Sequence, residues 1–112
     1  MNKVMLVGRI ANDLELKELD KDTKVINFSL AVNRGFKNKD GEKEVDFINC
    51  SIWNKIAENM KEYTNKGDLV GVEGRLVTSS YEKDEVKHYK TEVRVENIIF
   101  LGTKKEAKDE EK

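Results

Sequence analysis

The sequence predicts an all-β fold, a barrel of five strands with one helix between the third and fourth strands. Most of the first hundred residues alternate between apolar and polar side chains, which is typical of strands. The spacing changes to a helical period only once, directly after Trp53. Glycines inside the apolar runs, such as Gly8, allow the sharp curvature that a small closed barrel requires.

The first half of the chain contains two strands of this barrel. Residues 1–10 are rich in Val, Leu, Ile and Met and form the first strand. A short alternating run at residues 14–19 ends in a turn, and residues 24–34 form the second strand. Its core face consists of Ile26, Phe28, Leu30 and Val32, and its other face of Val25, Asn27, Ser29, Ala31 and Asn33. Residues 35–43 carry a strong turn signal and are predicted as a loop.

The third strand, residues 45–53, has two faces of different character. One is an ordinary apolar core face made of Ile48, Cys50 and Ile52. The other has Asn49 and Ser51 in its middle, yet it carries Phe47 and the only Trp of the chain, Trp53. Large aromatic side chains on a non-core face need a partner, such as another subunit, a ligand or a row of bases.

Helical spacing after Trp53 predicts about three helical turns, with Asn54 as N-cap and Gly67 as the C-terminal stop. Alternation returns in residues 68–81, where Val70, Val72 and Leu76 share a face and Gly71 and Gly74 permit curvature. The next segment, residues 82–85, is turn-like, and residues 88–101 form the last long strand.

Composition is consistent with one small soluble domain. The chain has 112 residues and a formal net charge of −1. It has a single cysteine and no apolar run of membrane-spanning length. We expect a cytoplasmic protein without membrane contact. His88, the only histidine, has no metal-ligand set around it and is predicted to lie on the surface, so we expect neither a metal nor a cofactor.

Five strands with one helix between the third and fourth are the order of the oligonucleotide/oligosaccharide-binding barrel, whose second and third strands carry the ligand face. We assign residues 1–102 to this domain and residues 103–112 to a short, charged, disordered tail. The balanced net charge does not itself indicate a nucleic-acid binder.

Aromatic residues outside the core pattern nevertheless indicate single-stranded nucleic acid, because any base can stack on an aromatic ring. These residues are Phe36, Phe47, Trp53 and Tyr81. Between them, Asn27, Ser29, Asn33, Asn49 and Ser51 offer hydrogen bonds. Phosphate contacts are assigned to Arg34, Lys37, Lys39, Lys55 and Lys66.

Structural interpretations of the same residues stay open. Phe36 is equally compatible with a loop contact and Tyr81 with an ordinary strand aromatic. Trp53 borders the helix and fits a packing contact with it just as well. The aromatic face is also compatible with a protein interface.

The order of motifs resembles the bacterial and phage single-stranded DNA-binding proteins over residues 1 to 101. The similar segments are residues 2–10, 28–34, 46–59, 66–76 and 89–93. The resemblance implies the same barrel and sequence-independent binding of single-stranded DNA in replication, repair and recombination. It places base-stacking aromatics at Phe36, Phe47, Trp53 and Tyr81, and strand-contacting lysines at Lys39, Lys55 and Lys66. It also implies a homotetramer, with Met5 and Tyr89 as candidate assembly residues.

The C-terminus departs from the family pattern. Cellular members usually end in a Gly/Pro/Gln-rich tail with an acidic Pro-Phe tip that recruits replication and repair proteins, and this sequence has no such tip. The departure is typical of a phage or plasmid member, acting in the host cytoplasm, or of a shortened chain. Recruitment of replication and repair proteins therefore stays open.

Two other function classes compete with a non-catalytic DNA-binding protein. The first is a replication accessory protein of primosomal type, which would use the same barrel mainly for protein contacts. The second is an enzyme such as a barrel nuclease. The sequence shows no convincing constellation of acid, base and metal ligands, because its carboxylates are scattered among lysines, so we expect no catalytic activity.

Overall fold

The computed structural model describes residues 1–103, except for the side chains of Phe36 and Lys37. The tail predicted for residues 103–112 lies, apart from Thr103, outside the described residues.

The described residues form six strands and one helix. In chain order these are β1 (Val4–Ile10), β2 (Lys17–Asp20), β3 (Thr23–Lys37), β4 (Lys43–Trp53), α1 (Asn54–Tyr63), β5 (Leu69–Lys83) and β6 (Val86–Gly102). The predicted all-β class is confirmed. Five of the strands form the barrel, and the short β2 only pairs with the first residues of β3.

Strand pairing closes the sheet into a barrel. β1 pairs with β5, β5 with β6, β4 with β3, and β3 with the end of β1, all antiparallel. The one parallel pairing among the described strands joins β4 to β6 over three residue pairs, from Cys50–Val93 to Ile52–Val95. A closed barrel leaves few free strand edges.

The core lies inside this barrel and consists mainly of residues that the alternation predicts. Val25, predicted on the other face of β3, is also buried, because it lies between Lys17 of β2 and Trp53 of β4. Ile26, Phe28 and Leu30 of β3 are buried, as are Cys50 and Ile52 of β4. Ala57 and Met60 of α1 pack against the same core. The helix thus places its apolar face against the barrel. No helix within residues 1–103 is long and apolar enough to span a membrane.

Two glycines lie where strands approach too closely for a side chain. A Cβ at Gly8 would lie 2.4 Å from the backbone oxygen of Ala31, at the point where β1 meets β3. A Cβ at Gly74 would lie 2.1 Å from the backbone oxygen of Arg94 on β6. At Gly71, by contrast, a Cβ would be at an ordinary distance of 3.7 Å from Leu101, so close approach does not require glycine there.

The helix ends differ from the sequence prediction. The N-cap residue is Trp53, and no side chain caps the helix. Asn54 instead accepts a hydrogen bond from the backbone N–H of Lys24 (2.9 Å), so its side chain joins the helix start to β3. At the other end Thr64 is the C-cap, and both its backbone N–H and its hydroxyl donate to the Met60 carbonyl. Gly67 lies three residues later, in the turn leading to β5.

Strand lengths also differ from the prediction. β3 continues through Lys37, where it pairs with Lys43, so the predicted loop at residues 35–43 shrinks to residues 38–42. Its turn is closed by the Asn38 side chain, which accepts hydrogen bonds from the backbone N–H groups of Asp40 and Glu42. Leu76 is exposed rather than buried with Val70 and Val72. It lies opposite the core residue Val93, but β5 passes from the barrel into the exposed hairpin just beyond it.

β5 and β6 extend beyond the barrel as a two-stranded hairpin. Its two-residue turn consists of Asp84 and Glu85, both with positive φ, which is the geometry of a type I′ turn. Residues 78–83 and 86–91 are exposed and, within the described chain, pair only with each other. The hairpin therefore projects from the barrel.

Candidate nucleic-acid interface

The non-core faces of β3 and β4 form one surface. Antiparallel register places Asn27 opposite Ser51, Ser29 opposite Asn49, and Ala31 opposite Phe47. Directly opposed residues in an antiparallel pair point to the same side. The two-face reading is correct in the middle of both strands, but Val25 and Ser51, which it places on this side, are buried. We call this surface the β3–β4 face.

Phe47 projects from the β3–β4 face into solvent. Its exposed fraction is 66%, although exposure of a phenyl ring to water is unfavourable. Its neighbours on the side towards the middle of the face, Ala31 and Asn49, are small or polar, so most of the ring is accessible to a flat ligand. This exposure matches the sequence prediction.

Trp53 lies at the other end of β4. Its indole N–H and one face of its ring both have partners within the protein. Its indole N–H donates to the hydroxyl of Ser51 (3.1 Å), and the Arg94 guanidinium carbon lies 4.9 Å from its ring centroid, a cation–π contact. Ser51 is fully buried beneath this arrangement. The prediction that Ser51 offers a hydrogen bond to a ligand is therefore wrong, because its hydroxyl serves Trp53.

A polar depression of about 240 Å³ lies between the two aromatic residues. Asn27, Ser29 and Asn49 line it, as the sequence predicts, together with Lys90 and Glu92 from β6. Asn12, which the sequence analysis did not single out, accepts a hydrogen bond from the backbone N–H of Ser29 (2.6 Å). Small polar side chains here leave room for a ligand between the aromatic rings.

Tyr81 lies on the projecting hairpin, directly opposite His88. The two rings stack, with centroids 5.1 Å apart and planes inclined by 17°. Both residues are exposed, as predicted for His88. Tyr81 therefore offers a ring on a separate element, beyond the edge of the β3–β4 face.

Phe36 lies on the extended end of β3. Its side chain is outside the described residues, so its stacking role stays a prediction. The same applies to the Lys37 side chain.

The predicted basic residues occupy different surroundings. Lys39 is exposed in the loop between β3 and β4, and Lys55 is exposed in the first turn of α1. Lys66 lines a separate hollow with Asp13 and Lys61 at the end of α1, and no aromatic side chain borders it. The structure does not gather these lysines into one cluster.

Arg34 is already engaged by carboxylates. Its Nη2 lies 2.9 Å from Asp46 Oδ1, and its Nη1 contacts Glu44. The hydrogen bond and charge of Arg34 hold the pKa of Asp46 below its ordinary value. A phosphate at Arg34 would have to compete with these two partners.

Sequence reasoning missed Arg94 and Arg75. Arg94 lies opposite Arg75 in the hairpin register and opposite Ser51 in the parallel pairing with β4. The pairing of Arg75 with Arg94 was accessible from sequence, because a two-residue turn at Asp84–Glu85 fixes the pairs of β5 and β6 from the turn as far as the bulge at Glu73/Gly74. The pairing with β4 is non-local and had no sequence signal.

An apolar surface lies on the outside of β1, β5 and β6. Met5 and Val7 are exposed on β1, and Ile99 and Leu101 are exposed on β6. Gly71 on β5 separates them, opposite both Val7 and Ile99, and a hollow of about 210 Å³ results. We call these residues the β1–β6 apolar surface. It includes Met5, the predicted assembly residue, whereas Tyr89 lies exposed on the hairpin.

Cys50 is buried on the core side of β4. Burial, with a smaller effect of the nearby Glu92 carboxylate, raises the pKa of its thiol to about 12. A thiol with such a pKa holds almost no thiolate near neutral pH and is a poor nucleophile.

A closed five-stranded barrel with one helix inserted after its third strand defines the oligonucleotide/oligosaccharide-binding fold. Its β3–β4 face, with an exposed phenyl ring and small polar neighbours, lies on the second and third barrel strands, where this class binds ligands.

The sequence pattern of the single-strand binding protein family matches residues 1–101. The chain belongs to this family.

Named relatives agree with this assignment. The chain is 49% identical over 102 residues to the "Single-stranded DNA-binding protein" of Halalkalibacterium halodurans, covering 90% of this chain and 61% of that protein. It is 48% identical over 104 residues to the "Single-stranded DNA-binding protein B" of Bacillus subtilis, covering 92% of each. The chain thus spans about three-fifths of the length of the first relative and nearly all of the second.

A solved structure is similar in fold. It is described as the Plasmodium falciparum SSB complex with ssDNA, and the similarity covers 90% of this chain and 95% of that one. The TM-score is 0.77 and the sequence identity 28%.

Proposed function

We propose that this protein binds single-stranded DNA without sequence selection and without catalysis. The observation that carries the proposal is Phe47, an exposed phenyl ring on the β3–β4 face that lies opposite Ala31 and next to Asn49. Every base has a flat face that can stack on such a ring, and each stack contributes about 1–3 kcal/mol by substitution. Exposed bases of a single strand meet this requirement, whereas bases inside a duplex are already stacked.

Trp53, Tyr81 and Phe36 extend the stacking path from Phe47. Trp53 lies six residues from Phe47 on the same strand face, roughly 20 Å away at strand spacing. Tyr81 continues the path onto the hairpin. Rings at such intervals hold a strand at several bases, with the polar depression between them.

Phosphate contacts are proposed for Lys39, Lys55, Lys66 and Arg34. Because the net charge is −1 and Arg34 is bound to two carboxylates, electrostatic attraction is modest. We infer that stacking supplies more of the affinity than counterion release does.

The names of the relatives support this function, since they are single-stranded DNA-binding proteins. We propose that the protein acts in the cytoplasm, in replication, repair and recombination, by coating exposed strands.

A homotetramer is proposed as the assembled form. Met5, Val7, Ile99 and Leu101 expose apolar area that a second copy would cover. Light scattering is expected to give a mass about four times that of the chain, and Met5→Glu should reduce it while the barrel stays folded. A wild-type mass equal to one chain would contradict the assembly.

Trp53 fluorescence tests the DNA-binding function directly. Because Trp53 is the only tryptophan, any change on adding poly(dT) at low salt reports on the β3–β4 face. We expect quenching that saturates, and a much weaker response to a duplex of the same length. Unchanged fluorescence, together with unchanged anisotropy of a labelled oligonucleotide, would refute the function.

A further inference from the structure

Arg75 and Arg94 form an unusual pair of like charges. They lie directly opposite each other on β5 and β6. Directly opposed like charges destabilise a strand pair. Within the described residues neither guanidinium has an ion pair or a hydrogen bond, and the buried Nε of Arg94 has no partner. This arrangement leaves two positive charges without an anion.

Acidic residues lie near the pair but do not neutralise it. Glu92 lies two residues before Arg94 on the same face of β6, and Glu96, two residues after it, is the unpaired extra residue of the bulge. Glu92 lies 4.0 Å from Lys90, and Glu96 borders the same hollow as the two arginines without pairing with either. The strand thus brings carboxylates close, and the two guanidinium groups remain unpaired.

The pair borders a hollow next to Trp53. This hollow has a volume of about 400 Å³, and Trp53, Ile56, Arg75 and Arg94 contribute to its walls. Arg75 is exposed and Arg94 is partly exposed. The Arg94 guanidinium is held over the indole of Trp53, so a strand that reaches Trp53 also reaches a positive charge.

We propose that Arg75 and Arg94 bind a phosphodiester group of single-stranded DNA and carry the DNA path from Trp53 onto β5 and β6. Guanidinium groups donate several N–H bonds to phosphate oxygens in a fixed geometry. A phosphate between the two would remove their mutual repulsion. The inference rests on the proposed function, and it adds a backbone contact that the aromatic residues alone do not provide.

Salt dependence of binding tests this contact. A labelled oligo(dT) is titrated with wild type, Arg75→Gln and Arg94→Gln between 50 mM and 1 M salt, with anisotropy as the readout. Each lost phosphate contact lowers the slope of log K against log salt by about 0.7 for a single strand. If wild type and variant have equal affinity at 1 M salt, this difference in slope makes the variant about eightfold weaker than wild type at 50 mM salt.

The control is Lys21→Gln, which removes one positive charge from an exposed residue of the turn between β2 and β3 that does not line the hollow. It is expected to leave the slope unchanged. Arg75 is exposed, so its variant keeps the fold even if Arg94→Gln disturbs Trp53. An unchanged slope for Arg75→Gln beside a wild type that binds would overturn the inference and leave the proposed function standing. A wild type that does not bind would overturn both.

Discussion

Replacement of Phe47 by alanine separates stacking from folding. Phe47 buries about a third of its surface in the free protein, since 66% is exposed. For a ring of ~200 Å² this is ~70 Å², which stabilises the fold by at most ~1.7 kcal/mol. A single base stacked on the ring contributes about 1–3 kcal/mol, so Phe47→Ala should weaken binding of oligo(dT) by about 5-fold to 150-fold while the protein stays folded.

Tyr63→Ala provides a matched control for this variant. Tyr63 is an aromatic residue with a similar exposed fraction, 69%, but it lies at the end of α1, away from the β3–β4 face. Affinity is measured by anisotropy of labelled oligo(dT) and folding by thermal unfolding. Wild-type affinity in Phe47→Ala, or an equal loss in Tyr63→Ala, would refute the stacking argument. Collapse of the fold in Phe47→Ala would show instead that the ring belongs to the core.

Three further outcomes follow from contacts described above. Asp46→Asn frees Arg34 from its main partner, so we expect tighter binding at low salt and a slope steeper by up to about 0.7; an unchanged salt titration would contradict this. Gly74→Ala forces a Cβ against the backbone oxygen of Arg94, so we expect it to lower the free energy of unfolding in urea by about 1–3 kcal/mol. A variant as stable as wild type would show that the two strands can move apart without cost. Cys50, with a thiol pKa of about 12, should react with iodoacetamide at pH 7.5 only after unfolding, and rapid labelling of the native protein would show that β4 opens.

The barrel strands were largely predictable because burial alternates with a period of two. Ile26, Phe28 and Leu30 are buried as the alternation requires, and Phe47 is exposed. The pattern failed where a residue has a second function or where a strand leaves the barrel. Leu76 shares the core side of β5 with Val70 and Val72 but lies where the strand passes into the hairpin, and alternation alone does not show where the barrel ends.

Two polar side chains have partners that the sequence pattern does not predict. The position of Asn54 predicts a cap, but its side chain bonds to Lys24, thirty residues earlier. That contact depends on how the strands pair across the barrel, and local propensity does not determine such pairing. Alternation predicts an exposed Ser51, but its hydroxyl is buried and bonds to Trp53, two residues later on the same strand.

The projecting β5–β6 hairpin has a consequence for motion. A two-stranded ribbon without a packed face is only marginally stable, and residues 78–83 and 86–91 contact no core. Its amide hydrogens should therefore exchange with solvent faster than those of the barrel strands. We therefore expect the part of the chain that carries Tyr81 to open more easily than the barrel strands. Single-stranded DNA that binds Tyr81 must therefore reduce the motion of the hairpin. Slower hydrogen exchange at the hairpin amides in the presence of DNA would show this reduction.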